Sequence, residues 1–337
     1  MHNTFCLYEK RHNMKIAVIF IGGTIGSSNK NGWTGTDSAT KYTLLNHFDY
    51  KKDGIEFSTS SPYTVLSENL SAKELNLLQI EIAEKLSMDY DGIIVTHGTD
   101  TLQYTASAIE YAFCDCKIPI VFVSAEYPLE DERTNGFANF EGAVEFIKSQ
   151  SNSGVFVSYK NTNEENTNIH IATHILQHSE CDANVYSIKG KPFATYNKSI
   201  MISNNEKLKS AKGIGVVNYV KNPEILTIDS CPGNSYSYCL DNVNAIILKP
   251  YHSFTLDTEN IKFRDFCKRA SDMNIPVFVT SGASKVRYES AKTFTELNIK
   301  PLPHCTYISA YMKIWAGISL EKDIADFMKK PIANEII

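Results

Sequence analysis

Two short stretches hold residues whose types and spacing could do chemistry. The first is Gly22-Gly23-Thr24-Ile25-Gly26-Ser27, directly after the apolar run KIAVIFI at 15–21. The second is His97-Gly98-Thr99-Asp100-Thr101, directly after a run centred on Ile93, Ile94 and Val95. Paired glycines let a chain turn sharply and bring its N–H groups close to a ligand. The second stretch displays two hydroxyls and a carboxylate. A hydroxyl is a poor nucleophile until a neighbour takes its proton, and amide hydrolysis also needs donors for the oxyanion. Gly-Gly-Thr alone is an ordinary strand exit, so the signal lies in the pair. Neither stretch is a phosphate loop, since the chain has no GxxxxGK[ST] and no GxGxxG.

The elements that must position these loops follow from periodicity. Short β-branched runs bounded by turn residues read as buried strands, and LQYTASAIEYAF after Thr101 has helical spacing. The unit is therefore strand, tight loop, helix, and in open α/β sheets ligands sit at the carboxyl ends of strands. Strands are also expected at 63–66, with Ser67-Glu68-Asn69 as exit, and at 118–124 and 154–159. A helix over 71–87 starts on a capping box formed by Ser71 and Glu74. It turns Leu75, Leu78, Ile82 and Leu86 to one side. A second helix, over 137–149, points Ala143, Phe146 and Ile147 inward. Residues 26–41 read as a long loop of the kind used for lids or linkers. Tyr42 near its end is either a lid phenol reaching Thr24 or simply the start of the next segment.

Alternating strands and helices imply a mostly parallel, helix-covered sheet with right-handed crossovers. The composition turns polar and basic toward 212, and a second set follows. It has strands at 214–220, 245–248 and 276–280 and helices at 260–273 and 321–329. The expectation is an α/β protein with a tail at 1–13, a larger N-terminal domain at 14–190, a linker at 191–212 and a smaller parallel α/β domain at 213–337.

At 337 residues the chain can bury one large or two medium cores. Its 33 basic and 38 acidic residues give a net charge of −5 without a long basic run. That does not indicate a nucleic-acid surface. No apolar stretch approaches the roughly 20 residues of a membrane span, and the opening lacks a secretory pattern. Met14 could be the natural start. The eight cysteines show no CxxC pair and are expected reduced. The class expected is a cytoplasmic globular protein with no cofactor or metal, because the His and Cys residues show no ligand spacing.

Together the two loops resemble the bacterial-type L-asparaginase family of Thr-dependent amidohydrolases. Asp37-Ser38-Ala39-Thr40-Lys41-Tyr42-Thr43 is similar to that family's mobile flap, and Ser67-Glu68-Asn69-Leu70 to its substrate-binding segment. Residues 124–136, with Pro128, Arg133 and Gly136, also follow the family, and the C-terminal third matches in pattern more than in letters. The resemblance implies a larger flavodoxin-like domain and a smaller C-terminal one. It implies cleavage of the side-chain amide of asparagine or a related carboxamide through an acyl-Thr intermediate, in a homodimer or homotetramer. Thr24 would be the nucleophile, and Thr99 would move a proton or activate water. Asp100 would pair with the substrate ammonium and Ser67 would hold its carboxylate. N–H groups near Thr99, or at Ala125, would face the oxyanion, with Gly23 and Gly98 at the substrate.

Three departures bear on activity. Glu68 stands where the family commonly has Gln, which points to an altered substrate unless Glu68 turns to solvent. The family Lys coupled to the second threonine is missing, since no Lys lies between Lys160 and Lys189; His170, His174 or Lys160 could substitute, or nothing does. A second-domain loop that in the family serves a neighbouring subunit's site has become Lys249-Pro250-Tyr251-His252-Ser253-Phe254-Thr255. The alternative reading is a catalytically impaired protein that binds an amino acid or a modified or peptide asparagine.

Overall fold

A computed structural model describes residues 13–23, 25, 27–30, 33–36, 40–47, 50, 54–149, 153–198, 200–204, 208, 211–280 and 288–336, with main chain only at 27–30, 33–36 and 40–42. The N-terminal part runs β1 (Met14–Phe20), β2 (Ser27–Lys30), β3 (Trp33–Thr36), α1 (Thr40–Asn46), β4 (Ile55–Ser60), α2 (Ala72–Leu86), β5 (Gly92–Thr96), α3 (Leu102–Phe113), β6 (Pro119–Val123), α4 (Gly136–Lys148), β7 (Gly154–Tyr159), β8 (Thr167–Ile171), β9 (Ala194–Tyr196) and β10 (Met201–Ser203). The C-terminal part runs β11 (Ile225–Asp229), β12 (Ala245–Lys249), α5 (Ile261–Asp272), β13 (Val277–Val279), α6 (Thr293–Glu296), β14 (Ile299–Pro301), α7 (Tyr307–Ser319) and α8 (Ile324–Lys329).

The first eight-stranded sheet has the order β10-β9-β8-β7-β6-β5-β1-β4. Strands β4, β1, β5, β6 and β7 are parallel, and β8, β9 and β10 are added antiparallel. The parallel strands β5 and β6 are buried at every residue, which is why they read as unbroken apolar runs. One face packs Ile16, Val18, Ile94 and Val121 against Leu44 of α1 and Phe140 and Ile147 of α4. The other packs Ala17, Ile19, Ile93 and Val95 against Leu78 and Ile82 of α2 and Leu102, Ala106 and Ile109 of α3. Among the parallel strands the order places β1 between β4 and β5, so successive connections leave β1 in opposite directions. That is the flavodoxin-type switch point, at which a crevice opens beyond the strand ends. Both glycine-containing loops leave the sheet there.

The smaller sheet, β11-β12-β13-β14, is all parallel. It is covered by Phe263 and Phe266 of α5 on one face and by Ile314 of α7 and Met328 of α8 on the other. The two-domain α/β class expected from sequence is the one observed.

Several local expectations differ from the structure. Residues 63–66 form no strand, only a single parallel bridge from Val65 to Gly22, because β1 ends at Phe20 and the chain leaves extended backbone at Gly22, with φ of +115°; the strand beside β1 is β4, which the sequence reading missed. Residues 26–41 are not simply a loop: β2 and β3 pair as an antiparallel hairpin. Within 191–212, expected as a linker, β9 and β10 extend the large sheet. Residues 214–220 form no strand: Gly215 has φ +75°, and the backbone groups bond several elements. The N–H groups of Ile214 and Gly215 donate to the Tyr111 and Ala112 carbonyls, Gln79 of α2 both donates to the Val217 carbonyl and accepts from its N–H at 2.9 Å, and the Asn76 oxygen accepts from Tyr219 N–H at 2.7 Å. Helix α7 was not foreseen. No described helix is long and apolar enough to cross a membrane, and the described cysteines are free thiols.

Candidate active site

Three chain segments meet at the switch point, and glycine makes the approach possible. Gly22 and Gly23 have φ of +115° and +85°. A Cβ on Gly22 would lie 2.2 Å from the Val65 carbonyl oxygen, and one on Gly23 would lie 2.2 Å from the Gly98 nitrogen. A Cβ on Gly98 would in turn lie 2.3 Å from the Ser67 hydroxyl. Any side chain at these positions would force the segments apart. The β1 exit, the turn at 65–67 and the β5 exit are thus held in backbone contact.

Polar contacts complete the junction. Ser67 is buried, its hydroxyl donates to the Asp100 carboxylate at 3.4 Å, and its carbonyl accepts from the Thr101 hydroxyl at 2.9 Å. Asp100 is exposed beside it, and Glu68, on the same short turn as Ser67, is also exposed. Ala125, just past β6, is fully buried and its side chain packs in the core beside Leu129 and Phe140. Thr24 lies outside the described residues; its neighbours Gly23 and Ile25 are both buried. Tyr42 falls in α1, and its side chain is likewise outside the description.

His97 and His178 both contact the backbone of the second loop. The His97 ring is buried, with Nδ1 at 2.7 Å from the Gly98 carbonyl and Nε2 at 2.8 Å from the Thr105 hydroxyl. Burial lowers its pKa to about 4, overriding the upward pull of the Gly98 carbonyl and Asp100. His97 is therefore a neutral brace, with Nδ1–H donating to Gly98 and Nε2 accepting from Thr105. His178 reaches the same loop from 177–184, its Nε2 at 3.2 Å from the Thr99 carbonyl and its Nδ1 at 3.0 Å from the Asn184 carbonyl. The N–H groups of Gly98, Thr99 and Asp100 find no acceptor among the described residues. A cleft of about 560 Å³ opens here, lined by Thr99, Asp100, Glu126, Gln177, His178 and Asp182 among others. The site therefore offers backbone donors, a hydroxyl and a carboxylate on one loop, beside a cleft large enough for an amino acid derivative. Among the described residues no group of three His, Cys, Asp or Glu is placed to hold a metal ion.

The structure brings Gly23, Gly98, Thr99, Asp100 and Ser67 together. It does not bring His170 or His174 to Thr99. His170 lies buried on β8, with Nδ1 at 2.8 Å from the Ser187 hydroxyl, and burial pushes its pKa down to about 4. His174 is engaged on the Asn334 carbonyl at 2.6 Å. The backbone of Lys160 is fixed by Asn139 and Asn135. The imidazole at Thr99 is His178, which sequence reasoning passed over together with Glu126 and Gln177. No local pattern could have found His178, because its partner lies 79 residues away. In the second domain, Phe254 stacks edge-on against Phe294 at 5.6 Å, Lys249 pairs with Asp229 at 2.6 Å, and the Ser253 hydroxyl meets His252 Nε2 at 3.2 Å.

Comparison with known proteins agrees with this architecture. Residues 15–208 match the family model described as "Asparaginase, N-terminal". The chain is 27% identical to a subunit of the glutamyl-tRNA(Gln) amidotransferase of Methanobrevibacter smithii, over 95% of this chain and 76% of that one. It is 22% identical to the L-asparaginase of Thermococcus kodakarensis, over 96% and 99% of the two chains. The solved structure of the thermostable L-asparaginase from Thermococcus kodakarensis superposes with a TM-score of 0.82 at 21% identity, covering 96% of this chain and 99% of that one. L-asparaginase I from Vibrio cholerae superposes with a TM-score of 0.79 at 20% identity, covering 96% and 99%. At these identities the structural likeness bears on the fold.

Proposed function

The chain belongs to the asparaginase family, whose members are amidohydrolases, and from that premise we propose that it hydrolyses the side-chain amide of asparagine or a related carboxamide through an acyl-Thr24 intermediate. The observation that carries this reading is the backbone contact of Gly23 with His97 and Gly98, which joins the Gly-Gly-Thr segment to the loop bearing Thr99 and Asp100. In the proposed reaction the Thr24 oxygen attacks the carboxamide carbon and ammonia leaves with the proton delivered to it. Water then resolves the ester, with Thr99 moving the proton. The N–H groups of 98–100 are suited to the oxyanion. Asp100, held by Ser67, is suited to a substrate ammonium, since a charge-assisted contact is the stronger kind. Glu68 is exposed to solvent, so its place where the family commonly has Gln gives no ground for an altered substrate.

A second reading draws on the 27% identity to part of an amidotransferase over nearly the whole chain: the ammonia would pass to a partner's reaction, with glutamine as the amide. Homo-oligomerisation and a cytoplasmic setting belong to the first reading. The test is ammonia release from asparagine, glutamine and Nα-blocked asparagine, with Thr24→Ala as control. Release abolished by the substitution supports the proposal. Saturable binding without release from any of them refutes it and leaves an amino-acid-binding protein.

A further inference from the structure

We propose that His174 is a positioning residue through which the second domain sets one wall of the cleft at Thr99. Its part in the reaction rests on the amidohydrolase reading; the placement of the wall does not. His174 is buried in a single turn, Ala172–His174, that lies between β8 and the cleft residues Gln177 and His178. Its Nε2 lies 2.6 Å from the Asn334 carbonyl, and since a carbonyl oxygen only accepts, that nitrogen is the donor. Asn334 is buried as well, on the stretch that follows α8 in the second domain.

Elements distant in sequence hold this turn. Glu110 of α3 accepts from the Thr173 N–H at 2.7 Å and from the Asn334 N–H at 3.4 Å, so one carboxyl joins the turn to the 332–335 stretch. The Thr306 hydroxyl, at the start of α7, donates to the Thr173 carbonyl at 3.1 Å and accepts from the Ser309 N–H at 3.1 Å. The 332–335 stretch is itself fixed. Glu335 accepts from Lys313 of α7 at 2.8 Å and from the Ile332 and Ala333 N–H groups at 3.1 and 2.9 Å. Ile332 and Ala333 pack with Tyr111 of α3 and Met312 of α7. A buried polar group that loses its partner is costly, so these contacts lock the turn in one place.

From His174 the chain passes directly into the cleft. Ile175 is buried and bridges Ser187, and the Leu176 N–H donates to the Tyr186 carbonyl at 2.9 Å. Gln177 follows, its Oε1 accepting from the Tyr104 hydroxyl at 3.2 Å, and His178 meets the Thr99 carbonyl. The other side of the same lobe stands on β7 and its exit: Asn161 accepts from the Val185 N–H at 2.9 Å, and Tyr159 donates to the Ala183 carbonyl at 3.0 Å. The lobe at 175–187 therefore has two footings, and the one at His174 rests on the second domain. Thr99 and Asp100 are placed by the large sheet, whereas Gln177 and His178 opposite them are placed through His174 by α7 and 332–335. The width of the cleft is then set by how the two domains dock.

Two measurements on the full chain test this. In amide exchange followed by NMR, His174→Leu should speed exchange at Leu176 by about tenfold, the size of one lost hydrogen bond. Val185, on the other footing, should keep its rate. His174→Gln carries a donor near the Nε2 position and should restore protection. Thr306→Val frees the Thr173 carbonyl from the second domain; it should accelerate Leu176 in the same way and serves if His174→Leu does not fold. An unchanged rate at Leu176, or equal acceleration at Leu176 and Val185, would overturn the proposal. In ammonia release, His174→Leu should raise KM about tenfold with kcat within about twofold, and His174→Gln should recover most of the loss. Phe263→Leu, in the core beneath α5, destabilises the second domain without touching the turn and should leave KM at the wild-type value. A KM unchanged in His174→Leu, or raised alike in Phe263→Leu, would also overturn the role. A wild type that releases no ammonia would refute the enzymatic reading, while exchange at Leu176 would still decide whether His174 holds the wall.

Discussion

Gly23→Ala is the sharpest perturbation of the site. The new Cβ would sit 2.2 Å from the Gly98 nitrogen and 2.3 Å from the His97 carbonyl carbon, at a φ of +85°. Holding a non-glycine residue in the left-handed region costs about 1–2 kcal/mol, and the overpacking adds about 1–3 kcal/mol. The total is roughly 2–5 kcal/mol, or a fall in Tm of about 5–15 °C for a domain of this size. Gly190→Ala separates the two contributions: its φ is +65° but nothing lies within 4 Å of the added Cβ. That control should lose only the conformational part, about 1–2 kcal/mol. Thermal melts followed by circular dichroism give both numbers, and ammonia release should fall in Gly23→Ala alone. If the two variants melt together and both keep activity, the β1 and β5 exits are not in contact and the site is not built as described.

Other outcomes follow from buried charge and from the site. Glu110 on α3 is pushed up to about 7 by burial, against the pull of the Thr173 and Asn334 N–H groups. Its folded value lies above the unfolded one of about 4.5, so its contribution is complete below pH 4.5 and is lost as pH rises to about 7. Wild type should therefore lose about 3 kcal/mol relative to Glu110→Gln across that window, read from denaturant melts at each pH. Lys313 and Glu335 form a buried pair at 2.8 Å, and Glu335 also accepts from Ile332 and Ala333 N–H. Lys313→Met leaves that carboxylate uncompensated and should destabilise by about 3–5 kcal/mol in the same melts. Under the proposed reaction, Asp100→Asn should raise KM for asparagine at least about tenfold while Thr24→Ala abolishes kcat; an unchanged KM would remove Asp100 from the ammonium role.

Much of the frame was legible in the sequence because it is local. Strands β5, β6 and β7 are unbroken apolar runs since parallel strands covered on both faces have no polar side. Helix α2 announced itself by its capping box, which is formed as read, with Glu74 accepting from the Ser71 N–H at 3.2 Å. The paired loops at 22–27 and 97–101 were visible because glycine and hydroxyl residues at strand exits carry local turn chemistry. Contacts between distant segments had no such signature. Residues 214–220 have strand composition, yet Val217 and Tyr219 bond Gln79 and Asn76 of α2, and no periodicity encodes a side chain arriving from 138 residues away. His178 sits in a polar stretch that reads as surface; only the return of 177–184 across the β5 exit sets its ring against Thr99. Strand order, and with it the crevice between β1 and β5, is likewise a property of how the elements pack.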